Sequence, residues 1–204
     1  LQFHYGQKRI PQPVKTWGVF SHRVVDNTHP LVNDVNTRFD VPHSRWNAIT
    51  RQQFDSAGLH VLVESEEAGV HLATSPDGLR LVFSQGHPEY DTISLLKEYK
   101  RELMLYAAGK SDGYPPFPQN YFSCRDQAVL DEYRGRLEAA MERGATTPDF
   151  PESLVAKRLD NTWHDTAEAV VGNWMGLVYQ VTHSDRRIPF MDDVNPDDPL
   201  GLYG

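Results

Sequence analysis

The chain has 204 residues, 39% hydrophobic and 24% charged, proportions that suit an ordinary globular domain, with or without an appendage. Its formal net charge is −8 and its Lys and Arg are scattered, which excludes the basic face that a nucleic-acid binder uses to neutralise phosphates. No apolar run reaches the roughly 20 residues that span a bilayer, no leader pattern opens the chain, and the single Cys124 excludes an internal disulfide framework, so a reducing cytoplasm is expected.

In chain order, Leu1 to Ile10 reads as the end of a helix stopped by Gly6 and then by Pro11 and Pro13. A start inside a helix leads us to expect a preceding N-terminal portion, because an isolated last turn does not overcome its nucleation cost. Trp17–Val25, rich in β-branched and aromatic residues, predicts a strand, and Leu59–Ser65 a second, short and buried one. Val70–Gly86 predicts a hairpin about the turn Ser75-Pro76-Asp77-Gly78. The period then changes: Ile93, Leu96, Tyr99, Leu103 and Tyr106 line one stripe of a helix, with Asp91 or Thr92 as its cap. Pro and Gly break the chain between Gly109 and Pro118. A helix is expected from Gln127 to Arg143, capped by Asp126, stopped by Gly144, and solvated on the face carrying Glu132 and Arg136. Trp163, Ala167, Val170, Trp174, Leu177 and Val181 mark a last helix whose stripe predicts core packing, and 187–204 reads as irregular. Strands interleaved with helices indicate an α/β or mixed-sheet domain.

The segment most able to carry chemistry is Gly86-His87-Pro88-Glu89-Tyr90-Asp91, where a strand gives way to a helix. Residues two apart in extended chain point the same way, so Glu89 can orient the His87 imidazole and stabilise its cation, as the base and orienter of a nucleophilic triad do. Pro42-His43-Ser44-Arg45, read as a loop, pairs a hydroxyl with a guanidinium fork that could hold a carboxylate; an ordinary surface arginine would look the same. Arg101, beside the apolar stripe of the helix after the turn, could point over the site or into water. The cluster Glu64, Glu66 and Glu67 reads as a solvated turn, and the nine histidines show no metal-binding spacing, so neither a metal nor a bound cofactor is expected. No glycine-rich nucleotide loop is present.

The ordered set FHYG (Phe3–Gly6), GVFSHRV (Gly18–Val24), PHSR (Pro42–Arg45), ESEEAGVHL (Glu64–Leu72), GHPEYD (Gly86–Asp91), KEYKREL (Lys97–Leu103), QNYF (Gln119–Phe122) and NWMGLVYQ (Asn173–Gln180) resembles the homoserine O-acyltransferases of the trans-succinylase type, over their C-terminal two-thirds. The resemblance implies a class I glutamine amidotransferase-like, flavodoxin-like sheet flanked by helices. It implies residues 1–122 as part of the acyltransferase domain, 123–162 as a helical insertion, 163–186 as a closing helix and 187–204 as a tail. It also implies ping-pong acyl transfer in methionine biosynthesis: a cysteine takes the acyl group from acyl-CoA, and the homoserine hydroxyl then attacks the thioester. By carry-over His87 is the general base, Glu89 its orienter, and Ser44 and Arg101 hold the amino acid, Arg101 at its carboxylate, with Arg45 behind them.

In such proteins the nucleophile sits on an elbow upstream of the helix that ends in YG. Cys124, in the QNYFSC segment, is in the wrong place for it, so the nucleophile is expected on a segment N-terminal to this chain. Homoserine and acyl-CoA are the expected partners, a homodimer the expected assembly, and no nucleic acid or membrane is expected. Succinyl and acetyl donors remain open, as does another hydroxy amino acid as acceptor. Two other readings share these residues: a glutamine amidotransferase-type enzyme, and a nucleophile-less relative that binds a metabolite.

Overall fold

The computed structural model describes every residue except Asp112, Arg186 and Gly204. Expectations for the loop at 112, for the end of the 163–186 segment and for the last residue of the tail lie outside the described residues at those points. The chain divides into two compact units: Leu1–Thr16, Phe20–Glu89 and Thr162–Gly204 form one, and Trp17–Val19 with Tyr90–Asn161 the other.

The larger unit is organised by a sheet of strands β1 (Ile10–Val24), β2 (Arg38–Ala48), β3 (His60–Ser65), β4 (Gly69–Thr74) and β5 (Val82–Ser84), in the order β2-β1-β3-β4-β5. The pairings β1/β3, β3/β4 and β4/β5 are antiparallel, with Arg23 opposite Glu64, His60 opposite Thr74 and Ala73 opposite Phe83. The α/β character is as expected, and this sheet is antiparallel along those ladders. Register shifts at Val61/Val63 and Val63/Glu64 bend β3, since a bulge raises local twist, and the sheet curls. Neighbours Val61 and Leu62 enter different clusters, as strand alternation requires: Val61 packs with Phe54 and Val70, Leu62 with Val24, Leu31 and Leu72.

Helix α1 (Gln2–Tyr5) ends at Gly6, whose φ of 68° is the left-handed conformation a C-terminal glycine adopts without strain. Beyond it the sequence reading needs correction. β1 begins at Ile10 and contains Pro11 and Pro13; its first turns of chain are exposed, where a missing N–H costs little. Pro42–Arg45 lies within β2 rather than in a loop. Short helix α2 (Arg51–Ser56) carries a full capping box, the Thr50 side chain accepting from Gln53 N and the Gln53 side chain reaching back. Helix α6 (His164–Val181) is where expected, but its stripe is not wholly core. Trp163 and Val181 are buried and Val170 and Leu177 pack on the sheet cluster, whereas Trp174 is 40% exposed. Asn173 secures the helix by donating to the Leu31 and Asn33 carbonyls at 3.1 and 2.8 Å.

In the smaller unit, α3 (Ser94–Ala107) buries Leu96, Tyr99 and Leu103, and α4 (Cys124–Glu142) buries Leu130, Tyr133 and Leu137, with α5 (Glu152–Ala156) adding Val155. Neither cap is the expected one. Ile93 precedes α3 with no side-chain cap, and Ser123 caps α4 by accepting from Asp126 N at 3.2 Å. Asp126 instead lies inside the first turn, buried, accepting from Arg158 Nε at 2.7 Å. Gly18 forms a parallel bridge with Gln119; a Cβ there would lie 2.2 Å from the Gln119 carbonyl oxygen, which explains the glycine. No helix of the described residues is long and apolar enough to cross a membrane.

Candidate active site

Strand β5 ends at Ser84, and the chain then leaves the sheet through Gln85 and Gly86 to reach His87. Three contacts fix this exit. Gln85 N donates to His71 O at 3.0 Å, the Ser84 hydroxyl to Gly86 O at 2.9 Å, and His87 N to Pro42 O on β2 at 2.8 Å. Gln85 does more with its side chain. Its Oε1 accepts from Ile49 N at 2.7 Å, while its Nε2 donates to Ile49 O at 3.0 Å and Val70 O at 2.8 Å. One amide thus stands in for a strand pairing just past the end of β2 and ties it to the start of β4.

At the tip, His87 Nδ1 lies 2.9 Å from Glu89 Oε1, the pair expected from the sequence. The carboxylate can only accept, so the proton is on Nδ1 and the lone pair of neutral His87 is on Nε2. Both side chains reach solvent, at 33% and 67% exposure, so a substrate can approach the ring.

Behind the turn lies a group the sequence reading missed: three buried imidazoles, His22 on β1, His43 on β2 and His71 on β4. His43 Nε2 meets His22 Nε2 at 3.2 Å with the rings stacked at 5.1 Å, and the His71 ring stands edge-on at 5.3 Å from that of His22. Arg45 Nε–H donates to His43 Nδ1 at 3.3 Å, and His22 Nδ1 faces Phe20 O at 2.8 Å. One assignment satisfies every contact. His43 is protonated on Nε2 and donates to His22, which is protonated on Nδ1 and donates to the carbonyl. Burial pushes all three below the ordinary histidine value, His22 to about 4, His43 to about 2 and His71 to about 3, so all are neutral near pH 7. The only signal available was position: His43 is two residues from Val41 and from Arg45, hence on their side of a strand, but in PHSR it reads as a polar loop.

Ser44, on the other side of β2, lines an open cleft of about 700 Å³ with Arg45, Trp46, Arg9 and Gln85. The Arg45 guanidinium is held by protein acceptors, Gln12 Oε1 at 3.1 Å, Asn47 O at 3.2 Å and the Ala68 carbonyl, besides His43. Arg101 belongs to the smaller unit, on α3, exposed and paired with Glu102 at 3.0 Å. Cys124 is exposed in the first turn of α4. Glu64 pairs with Arg51 at 2.7 Å. Among the described residues no three His, Cys, Asp or Glu side chains converge as metal ligands.

A histidine whose second nitrogen is held by a carboxylate, on a turn anchored to a curled sheet, is an arrangement chemically able to move protons for a nucleophile. Comparison with known proteins gives that class a family. The family described as homoserine O-succinyltransferase matches residues 1–184. The chain is 63% identical over 202 residues to the homoserine O-succinyltransferase of Nitrosococcus oceani, 64% to that of Allochromatium vinosum and 63% to that of Thiobacillus denitrificans. Each alignment covers 99% of this chain and 56%, 57% and 56% of the relative, so the chain spans little more than half the length of these proteins rather than two-thirds. The chain belongs to the homoserine O-succinyltransferase family.

Proposed function

We propose that this chain is the His–Glu-bearing part of an acyl-CoA-dependent homoserine O-succinyltransferase acting in methionine biosynthesis. The observation that carries the reading is the 2.9 Å contact of His87 Nδ1 with Glu89 in the GHPEYD turn of a chain belonging to this family. A cysteine on a segment N-terminal to this chain is the nucleophile. Its thiolate adds to the succinyl carbonyl, CoA leaves as thiol with the proton held by His87, and an acyl-enzyme thioester remains. The homoserine hydroxyl then gives its proton to His87 Nε2 and attacks the thioester, releasing O-succinylhomoserine and the free thiol. Glu89, accepting from Nδ1–H throughout, keeps Nε2 available and stabilises the imidazolium of each half-reaction.

Ser44 and Arg101 hold the amino acid, Arg101 at its α-carboxylate, and Arg45 acts from behind. The donor is named succinyl-CoA because the relatives are named for it, and no bound cofactor is required. The domain is of the class I glutamine amidotransferase type, supported by a mixed α/β architecture with a His–x–Glu pair just past a strand end. Residues 1–122 and 163–186 form its body, 123–162 a helical insertion and 187–204 a tail; the protein is a cytoplasmic homodimer.

The test is acyl-enzyme formation in the full-length protein. Succinyl-CoA without homoserine, followed by acid quench and intact mass, should give one succinyl group per chain, and homoserine should discharge it. His87→Ala should abolish both steps. A His87→Ala protein that turns over at the parental rate, or discharge by water with no O-succinylhomoserine formed, would overturn the reading.

A further inference from the structure

The buried imidazoles have no part in the steps above, yet they touch the catalytic turn at its most restricted point. Gly86 directly precedes His87, and a Cβ on it would lie 2.5 Å from Val41 Cγ1, 2.9 Å from His43 Nε2 and 3.0 Å from His71 Nδ1. The turn therefore rests on two imidazole edges with no room for a methyl group. His71 is itself aimed, since Ser84 Oγ, 3.4 Å from His71 Nδ1, donates its own proton to Gly86 O and can accept from the ring. His43 is fixed from both sides, by Arg45 on Nδ1 and by His22 on Nε2.

We infer that His43, held in one orientation by the chain Arg45–His43–His22–Phe20 carbonyl, is a positioning residue for His87: its ring edge sets the height of Gly86 and hence the place of the catalytic imidazole. This rests on the reading of His87 as the base. An aliphatic side chain of similar volume would fill the site but leave Arg45 Nε and His22 Nε2 without partners and the ring edge unfixed. Neutrality is part of the device. Desolvation first, with the neighbouring imidazoles and for His43 also the Arg45 cation acting the same way, keeps the two rings under Gly86 uncharged while His87 gains and loses its proton.

The experiment combines tautomer detection with kinetics. Two-bond 1H–15N correlation spectra of the full-length protein should show His22 in the Nδ1–H form and His43 in the Nε2–H form, unchanged from pH 8 to pH 6. In the full-length protein His43→Leu should lower kcat by about 10²-fold, the order expected for an ångström-scale misplacement, with KM for homoserine within about threefold. His43→Gln, which can donate to His22 and accept from Arg45, should recover most of that loss. The inference is overturned if His43 carries its proton on Nδ1, if a folded His43→Leu protein keeps its kcat, or if kcat falls equally in the Gln and Leu variants. Should His43→Leu fail to fold, the tautomers and the Gln variant decide. Loss of the base reading would show separately, as His87→Ala retaining turnover.

Discussion

Replacing Gln85 by Leu removes one amide at nearly constant volume. The side chain makes three hydrogen bonds of 2.7, 3.0 and 2.8 Å, to both backbone groups of Ile49 and to the Val70 carbonyl. Ile49 and Val70 are buried, 6% and 0% exposed, so water does not readily replace the lost partner. Each hydrogen bond contributes about 1 kcal/mol net, and a buried group left unpaired costs ~1–3 kcal/mol, more for the Ile49 N–H than for carbonyls that keep other acceptor capacity. The expected loss is about 3–4 kcal/mol. Urea denaturation followed by circular dichroism should show a lower midpoint at unchanged slope, and the melting temperature should drop by roughly 10 °C for a chain of this size. Gln85→Glu keeps the acceptor for Ile49 N–H but sets a carboxylate against two carbonyls, and should be at least as damaging. A destabilisation below ~1 kcal/mol in Gln85→Leu would show that the amide does not replace a strand pairing, and that the exit from β5 is held by its backbone contacts alone.

In the full-length protein, the proposed mechanism has the carboxylate act on the base and not on the substrate, so Glu89→Gln should lower kcat by about 10²-fold while KM for homoserine stays within a factor of about two; steady-state kinetics check this, and a loss below threefold would remove Glu89 from the mechanism. The buried imidazoles make stability depend on pH in a defined direction. Their folded values lie below the ordinary 6.5, so the unfolded chain binds more protons as pH falls. The stability they contribute is complete above pH 6.5 and is lost progressively from there toward pH 4, with a slope approaching ~4 kcal/mol per pH unit if all three titrate only on unfolding. Urea midpoints at pH 7.5, 6.5 and 5.5 should fall in that order, and His71→Leu should flatten the trend; equal midpoints would mean that the three rings take up protons in the fold as readily as in the unfolded chain. Asp126→Ala strips the buried carboxylate from Arg158 and from the Ser123 hydroxyl and should cost about 3 kcal/mol in the smaller unit, the low end for a broken buried pair because Arg158 keeps some solvent. Thermal denaturation reads it directly.

The His87–Glu89 contact was legible in the sequence because its two residues are local: His and Glu two apart, after a hairpin and before a helical period, need no long-range partner to be recognised. The hairpin from Gly69 to Ser84 was legible for the same reason, its turn chemistry being contained in four residues. What escaped notice depended on contacts between distant segments. β2 carries Asp40, His43, Ser44, Arg45 and Asn47, so its alternation of faces is hidden among polar side chains, and Pro42 argues locally against a strand. Its histidine is acceptable in the interior only because His22, twenty-one residues earlier, and Arg45 satisfy both ring nitrogens. Gln85 reads as a surface residue until Ile49 and Val70 are brought beside it. The caps failed more narrowly. Asp126 has the composition of a cap, but Ser123 takes that role and leaves the carboxylate to Arg158.

Pro42 offers the turn a carbonyl and nothing else. In extended chain the N–H and C=O of one residue point to the same side, so any other residue at 42 would present an amide proton beside the oxygen that accepts from His87 N. Such a residue could complete the two-bond pair of an antiparallel ladder, drawing His87 into the sheet as one more strand position. Proline forbids that second bond. The contact between His87 and β2 therefore stays a single backbone hydrogen bond, and the turn is tethered to the strand without being paired into it.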